Sequence, residues 1–198
     1  YGYDAATQTL YYQSAESSPL QRDIYSLDAK GKKLRLTDGK GTHDALFSKS
    51  FAYFVDNAST ANNPTVSIMR DKKGIKIRTM EDNATLASEF KALNLPVKEF
   101  FTFTTSEGIK LNGWMLKPVG FNPAEKYPTL MVQYSGPNSQ EVLDRWKIEW
   151  EYFLSTKGYV VVSVDGRGTG ARGAEFRKCT YQQLGVLEAR DQIEAARY

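Results

Sequence analysis

The stretch 127–140, Y-P-T-L-M-V-Q-Y-S-G-P-N-S-Q, decides how the rest of the chain reads. Thr129 to Val132 is a short apolar run, and it breaks at once into Tyr134-Ser135-Gly136-Pro137, where Gly and Pro forbid a regular continuation. The pattern predicts a buried strand ending in a tight loop. In an open α/β sheet, ligands sit on the loops at the carboxyl ends of strands, so Tyr134 is a site candidate. Sequence before this point has the pattern of an all-β architecture, and sequence after it alternates helix and strand.

Downstream, Val142, Trp146, Trp150 and Phe153 recur at helical spacing and predict an amphipathic helix that buries two tryptophans as core. Lys157-Gly158 closes it. Tyr159 to Val164 is a near-continuous β-branched run, the mark of a strand buried on both faces of a parallel sheet. Strand, crossover helix and strand make a right-handed βαβ unit. Val186, Ala189, Ile193 and Ala196 predict a last helix, with Arg190 and Glu194 paired one turn apart. Just upstream, Phe100 to Thr104 and Ile109 to Leu116 form an antiparallel hairpin across Ser106-Glu107-Gly108. Two major strands do not make a sheet covered on both faces, so this part reads as cut off.

Further upstream, residues 9–81 are short aromatic and β-branched runs separated by turn residues. Two hairpins turn at Asp28-Ala29-Lys30-Gly31 and Asp71-Lys72-Lys73-Gly74, each with Gly where positive φ is needed. A shift of 43 residues superposes them: Asp28 on Asp71, Lys30 on Lys73, Gly31 on Gly74, Lys33 on Lys76, Arg35 on Arg78. The same shift carries Leu10-Tyr11-Tyr12-Gln13 onto Tyr53-Phe54-Val55-Asp56. A period of this length with several strands per unit is that of a β-propeller blade; the alternative is a coincidence of hairpins. Met80 to Asn83 lead into a short helix over Ala84 to Leu93, with Asn83 as N-cap, ended by Pro96.

Composition excludes several classes. The formal net charge is +3, with no basic run long enough to follow a phosphate backbone, which argues against nucleic acid as partner. One cysteine, Cys179, makes no internal disulfide, and one histidine rules out a Cys/His zinc cage. No run approaches the ~20 apolar residues of a spanning helix, and residues 1–10 carry no signal pattern; the chain reads as starting mid-protein. His43, beside Asp44, has a reading as a general base, but neighbours on a strand face opposite ways, so the structural reading is preferred.

Asp165 to Gly173, D-G-R-G-T-G-A-R-G, contains G-x-G-x-x-G after a strand, with Glu188 20 residues past Gly168. As a dinucleotide fingerprint it lacks context. Residues 174–181 intervene before the periodic helix, and Glu188 lies within a helix instead of ending a strand. The plainer reading is a tight loop pinned by Asp165 and Arg167, with no cofactor and no metal.

The Y-S-G-P loop, V-V-V-S-V-D-G-R-G-T-G at 160–170, Leu184-Gly185 and E-A-R-D-Q-I-E-A-A-R at 188–197 resemble the start of the catalytic domain of the prolyl oligopeptidase family, in its dipeptidyl peptidase IV-like branch. The blade repeat and the E-D-N segment look like the last two blades of that family's eight-bladed propeller. The resemblance implies a mixed fold: residues 1–82 as C-terminal propeller blades, then 83–198 as a helical linker (83–95) and a truncated α/β-hydrolase domain. It implies a serine exopeptidase that releases N-terminal dipeptides, preferably after proline, by acyl transfer, acting on peptide substrates and periplasmic or secreted. Tyr134 matches the family's tyrosine that donates to the oxyanion. The triad's serine lies in a G-x-S-x-G elbow, which this sequence does not contain, so nucleophile, acid and base are expected beyond Tyr198 and the fragment alone is expected to be inactive. The alternative is a non-catalytic propeller and hydrolase-like binding protein. An exposed sheet edge allows a homo-oligomer.

Overall fold

Asp28 and Asp71 each close a turn in the same way. The Asp28 carboxylate accepts the Lys30 and Lys32 amides at 2.9 Å, and the Asp71 carboxylate accepts the Lys73 and Ile75 amides at 2.9 Å. Gly31 (φ +79°) and Gly74 (φ +85°) donate back to the Asp28 and Asp71 carbonyls. The 43-residue repeat therefore extends to individual hydrogen bonds. Each hairpin belongs to a four-stranded antiparallel sheet. One contains β1 (Gly2–Asp4), β2 (Thr9–Ser14), β3 (Asp23–Leu27) and β4 (Lys33–Arg35). The other contains β5 (Thr42–Phe47), β6 (Tyr53–Thr60), β7 (Asn63–Asp71) and β8 (Lys76–Glu81). Strands follow one another in sequence order across each sheet, the form of a propeller blade.

The computed structural model describes residues 1–198. They divide into two units, 1–89 with 143–146 and 90–142 with 147–198. In the first, burial repeats with the sequence: Tyr11 and Phe54 are buried, whereas Leu10 and Tyr53 beside them are exposed. Tyr11, Ile24, Leu36, Ala45 and Phe54 form one core drawn from both sheets, with Phe47 and Phe51 against it. Tyr11 stacks on Phe51 at 5.1 Å, and Phe47 lies 4.8 Å from both Tyr11 and Phe54. Such sheets bury their faces on each other. β1 and β5 are absent from the expected strands because G-Y-D is short and T-H-D-A-L-F carries His and Asp inside it; pairing with β2 and β6 makes them strands.

The helix expected over Val142 to Phe153 does not form as read. Helix α2 is short (Trp150–Thr156); Trp150 and Phe153 are exposed, and Glu151, Tyr152 and Ser155 are buried. Upstream of it the backbone has other partners. Asp144 N donates to Leu20 O, the Asp144 carboxylate accepts Ala61 N, and Trp146 N donates to Ser59 Oγ. The Trp146 amide, which a helix begun at Val142 would turn on Val142 O, is thus engaged in the first unit instead. The preceding helix, α1 (Ala84–Ala92), is present without buried residues. Its first amide is capped by Asp82 and not Asn83, whose side chain donates instead to Thr65 O.

The second unit is a mixed sheet in the order β11-β12-β10-β9, formed by β9 (Lys98–Thr104), β10 (Lys110–Leu116), β11 (Thr129–Met131) and β12 (Val160–Asp165). The expected hairpin is β9–β10, and β11 runs parallel to β12. β12 is buried along its whole length, as its β-branched run requires. β11, by contrast, is an edge strand: Thr129 and Leu130 are exposed, because only β12 pairs with it. Two helices follow, α3 (Gly173–Lys178) and α4 (Val186–Arg197). α4 inverts the expected face, with Glu188, Asp191 and Gln192 buried and Val186 and Ile193 exposed. Arg190 reaches Glu107 and not Glu194, which instead accepts the Ser106 amide.

Candidate functional site

Tyr134 lies two residues beyond the last backbone bond of the parallel pair, Val132 N to Val162 O at 2.8 Å. The residue is 73% exposed, so its hydroxyl faces solvent. Ser135 holds φ +55°, a left-handed conformation that turns the chain sharply. Gly136 admits the Tyr134 ring: a Cβ there would stand 2.4 Å from Tyr134 Cε1. The tyrosine is thus presented outward on a loop at the carboxyl end of a strand.

The loop around it is fastened to the end of β12 and to the glycine-rich stretch. Asn138 N donates to Gly168 O, and Gly170 N donates to Ser139 O, both at 2.9 Å. A Cβ at Gly170 would lie 3.2 Å from Asn138 O, so glycine is what lets the two backbones approach. Asp165, at the end of β12, accepts Glu141 N at 3.0 Å and Val142 N at 2.9 Å through its two carboxylate oxygens. Burial outweighs those two donors and pushes its carboxyl up to about 6. Trp114 Nε1 donates to Glu141 O from β10. Beside the loop opens a cleft of about 740 Å³, lined by Pro137, Asn138, Arg177, Thr180, Tyr181 and Leu184 among others.

Three amides of the glycine stretch are taken up within the protein. Thr169 N donates to Gly166 O, Gly168 N to Phe176 O and Gly170 N to Ser139 O, so these amides already have acceptors. Arg167 holds the stretch from the other side. Its guanidinium meets Asp191 at 2.7 Å and Glu107 at 2.8 Å, and its own amide donates to Asp191 at 2.6 Å. The Asp191 hydrogen bond, above all, raises the arginine's pKa. The stretch is therefore pinned by Arg167 as read, while Asp165 pins the Tyr134 loop.

His43 is buried, with Nδ1 2.9 Å from Asp56, which also accepts Arg70 Nε at 2.9 Å. Asp44, its sequence neighbour, instead accepts the Tyr1 hydroxyl. The histidine belongs to a buried charge network of the first unit, the structural reading. Gln192 and Asp191 were not legible as site residues: their positions on α4 look solvent-facing, and only their buried partners reveal them.

The chain thus has two parts, a pair of blade-form sheets and a mixed α/β unit with a tyrosine raised on a strand-end loop. Residues 1–65 match the dipeptidyl peptidase IV (DPP IV) N-terminal region, and residues 146–198 match the prolyl oligopeptidase family. The chain is similar to members of that family, in its dipeptidyl peptidase IV-like branch. It is 35% identical over 202 residues to a probable dipeptidyl-aminopeptidase B of Metarhizium robertsii, covering 98% of this chain and 22% of the relative. It is 34% identical over 203 residues to a probable dipeptidyl peptidase 4 of Emericella nidulans, covering 98% and 26%. The crystal structure of Porphyromonas gingivalis dipeptidyl peptidase 4 matches with a TM-score of 0.94 and 54% identity, over 100% of this chain and 28% of that one. The chain thus spans about a quarter of the length of these proteins.

Proposed function

We propose that this chain is part of a serine-type dipeptidyl peptidase that releases N-terminal dipeptides, preferably after proline, and that Tyr134 is its oxyanion donor. Residues 1–82 are the last two propeller blades. Residues 83–95 are a linker, and the remainder is the opening of an α/β-hydrolase domain. The Ser, Asp and His of the triad are supplied by sequence beyond Tyr198, and the 198 residues alone are inactive. The full protein acts on peptides in the periplasm or outside the cell.

The observation that carries this reading is the exposed Tyr134 hydroxyl on a loop whose backbone is fastened at several points. Attack of a serine on the scissile carbonyl moves charge onto the carbonyl oxygen, and a donor already oriented there stabilises that charge without reorganising. In α/β-hydrolases the loop after the third strand contributes to this hole. A phenol hydroxyl can donate one such bond.

In the full-length protein, Tyr134→Phe removes the donor and keeps the ring. Steady-state hydrolysis of a Gly-Pro amide should show kcat lower by about 100-fold, with KM nearly unchanged, the mark of an interaction made only in the transition state. An unchanged kcat removes Tyr134 from the chemistry. No dipeptide release by the intact protein would leave the non-catalytic binding reading.

A further inference from the structure

Gln192 is a buried carboxamide, 9% exposed, on a helix whose sequence pattern places it at the surface. Its Nε2 donates to Val164 O at 2.8 Å and to Ser135 Oγ at 3.2 Å. A backbone carbonyl only accepts, so the nitrogen must face Val164 and the two ends of the amide are not interchangeable. That fixes the direction of the remaining bonds. Ser135 Oγ accepts from Gln192, and its own O–H donates to Gln133 Oε1 at 2.6 Å. The Gln192 Oε1 is left buried with no partner. An orphaned amide oxygen is costly, and an apolar side chain at this position would avoid it. What the amide does at its nitrogen must offset that cost.

Ser135 is the residue after Tyr134 and carries the left-handed turn, and the Tyr134 ring lies against Gly136. The direction of the phenol therefore depends on the backbone at 135 and 136. We propose that Gln192 is a positioning residue for Tyr134: from the carboxyl end of β12 it fixes Ser135, and through Ser135 it sets where the Tyr134 hydroxyl points. The assignment rests on Tyr134 acting as the oxyanion donor.

The test uses the full-length protein with Gln192→Leu and Ser135→Gly. Leucine removes the donor and the orphaned oxygen together; glycine removes the hydroxyl yet tolerates the positive φ without strain. Each variant should lower kcat by on the order of tenfold to a hundredfold at unchanged KM, as a displaced catalytic group does. The two together should be no worse than one, and neither should matter in a Tyr134→Phe background. Hydrogen exchange at residues 134–137 should be faster in both, which a purely global loss of stability would not confine to that loop.

Unchanged kcat and unchanged exchange in both variants would overturn the assignment. So would losses that multiply with each other or persist alongside Tyr134→Phe. If Gln192→Leu does not fold, Ser135→Gly decides by the same criteria. If Tyr134→Phe itself keeps full kcat, the oxyanion reading has failed and this assignment falls with it. If Tyr134→Phe loses kcat while both variants keep it, only the positioning role has failed.

Discussion

In the repeat unit a turn is held from within, whereas in the α/β unit the Tyr134 loop is held from far along the chain. The Asp28 and Asp71 carboxylates bind amides two and four residues away. Asp165 reaches back 24 residues to Glu141 and 23 to Val142, and Gln192 reaches back 57 residues to Ser135. A turn closed by its own residues can be copied into the next repeat with its geometry intact. A loop closed by a distant strand and helix exists only once the sheet has formed. The difference explains why the turn recurs in the first unit and the Tyr134 loop does not recur in the second.

The largest effects are expected at the buried carboxylates. Asp191→Ala strips Arg167 of its principal partner, and Asp56→Ala does the same to Arg70 and His43. Both aspartates are fully buried, so each substitution should cost about 3–5 kcal/mol in urea unfolding of the protein. Hydrogen exchange then separates the units. Asp191→Ala should expose the amides of Asn138 and Gly170, while Asp56→Ala should leave those of Gly31 and Gly74 protected. Loss of turn protection in the Asp56 variant would show that the repeats are not locally held.

A smaller effect distinguishes the two repeats from one another. Gly31 and Gly74 occupy the same turn position with the same sign of φ, yet a Cβ at Gly31 meets nothing within 4 Å, and one at Gly74 would stand 2.3 Å from Leu36 O. Gly31→Ala should cost roughly 1–2 kcal/mol for the left-handed backbone. Gly74→Ala should cost about 1–3 kcal/mol more, because the Leu36 carbonyl must move. Equal unfolding midpoints for the two variants would show that the second turn relaxes freely.

A further effect concerns pH. Asp165 titrates at about 6 when folded against 3.8 ordinarily, so between those values the folded chain holds a proton that the unfolded chain has lost. Its contribution to stability therefore falls as pH rises from about 4 to about 6 and is level above that. Asp165→Asn should flatten this part of the stability profile, measured as urea midpoint against pH. The same variant places an NH2 group against one of the two amides that Asp165 accepts, so its midpoint at neutral pH should also be lower. A wild-type profile flat between pH 4 and 6 would show that the two amide donors outweigh burial.

Much of the fold was legible in local pattern. The hairpins at Asp28 and Asp71, the buried run at 160–164 and the β9–β10 hairpin all follow from turn chemistry and from alternation or β-branching. The helices were less so. The stripe Val142, Trp146, Trp150 and Phe153 has helical spacing, but backbone partners in the first unit take residues 143–146 and leave Trp150 and Phe153 exposed. In α4 the apolar stripe faces outward and the buried face is Glu188, Asp191 and Gln192. Periodicity assumes that polar means solvent, and that fails where each polar group finds a buried partner.

For the candidate site, the loop that carries Tyr134 was visible in sequence because Gly and Pro mark it and the strand before it gives it its place. What no stretch of sequence contains is the set of groups that hold it: Asp165 at Glu141 and Val142, Gly168 and Gly170 at Asn138 and Ser139, and Gln192 at Ser135. By itself the sequence determined the repeat, its turns, the buried strand and the tyrosine, since each depends on residues within a few positions of one another. Tertiary structure alone decided which strand became an edge, which face of α4 was buried and what fastened the loop. Those outcomes depend on which donors and acceptors meet across the folded sheet, and chain-local propensity carries no term for that meeting.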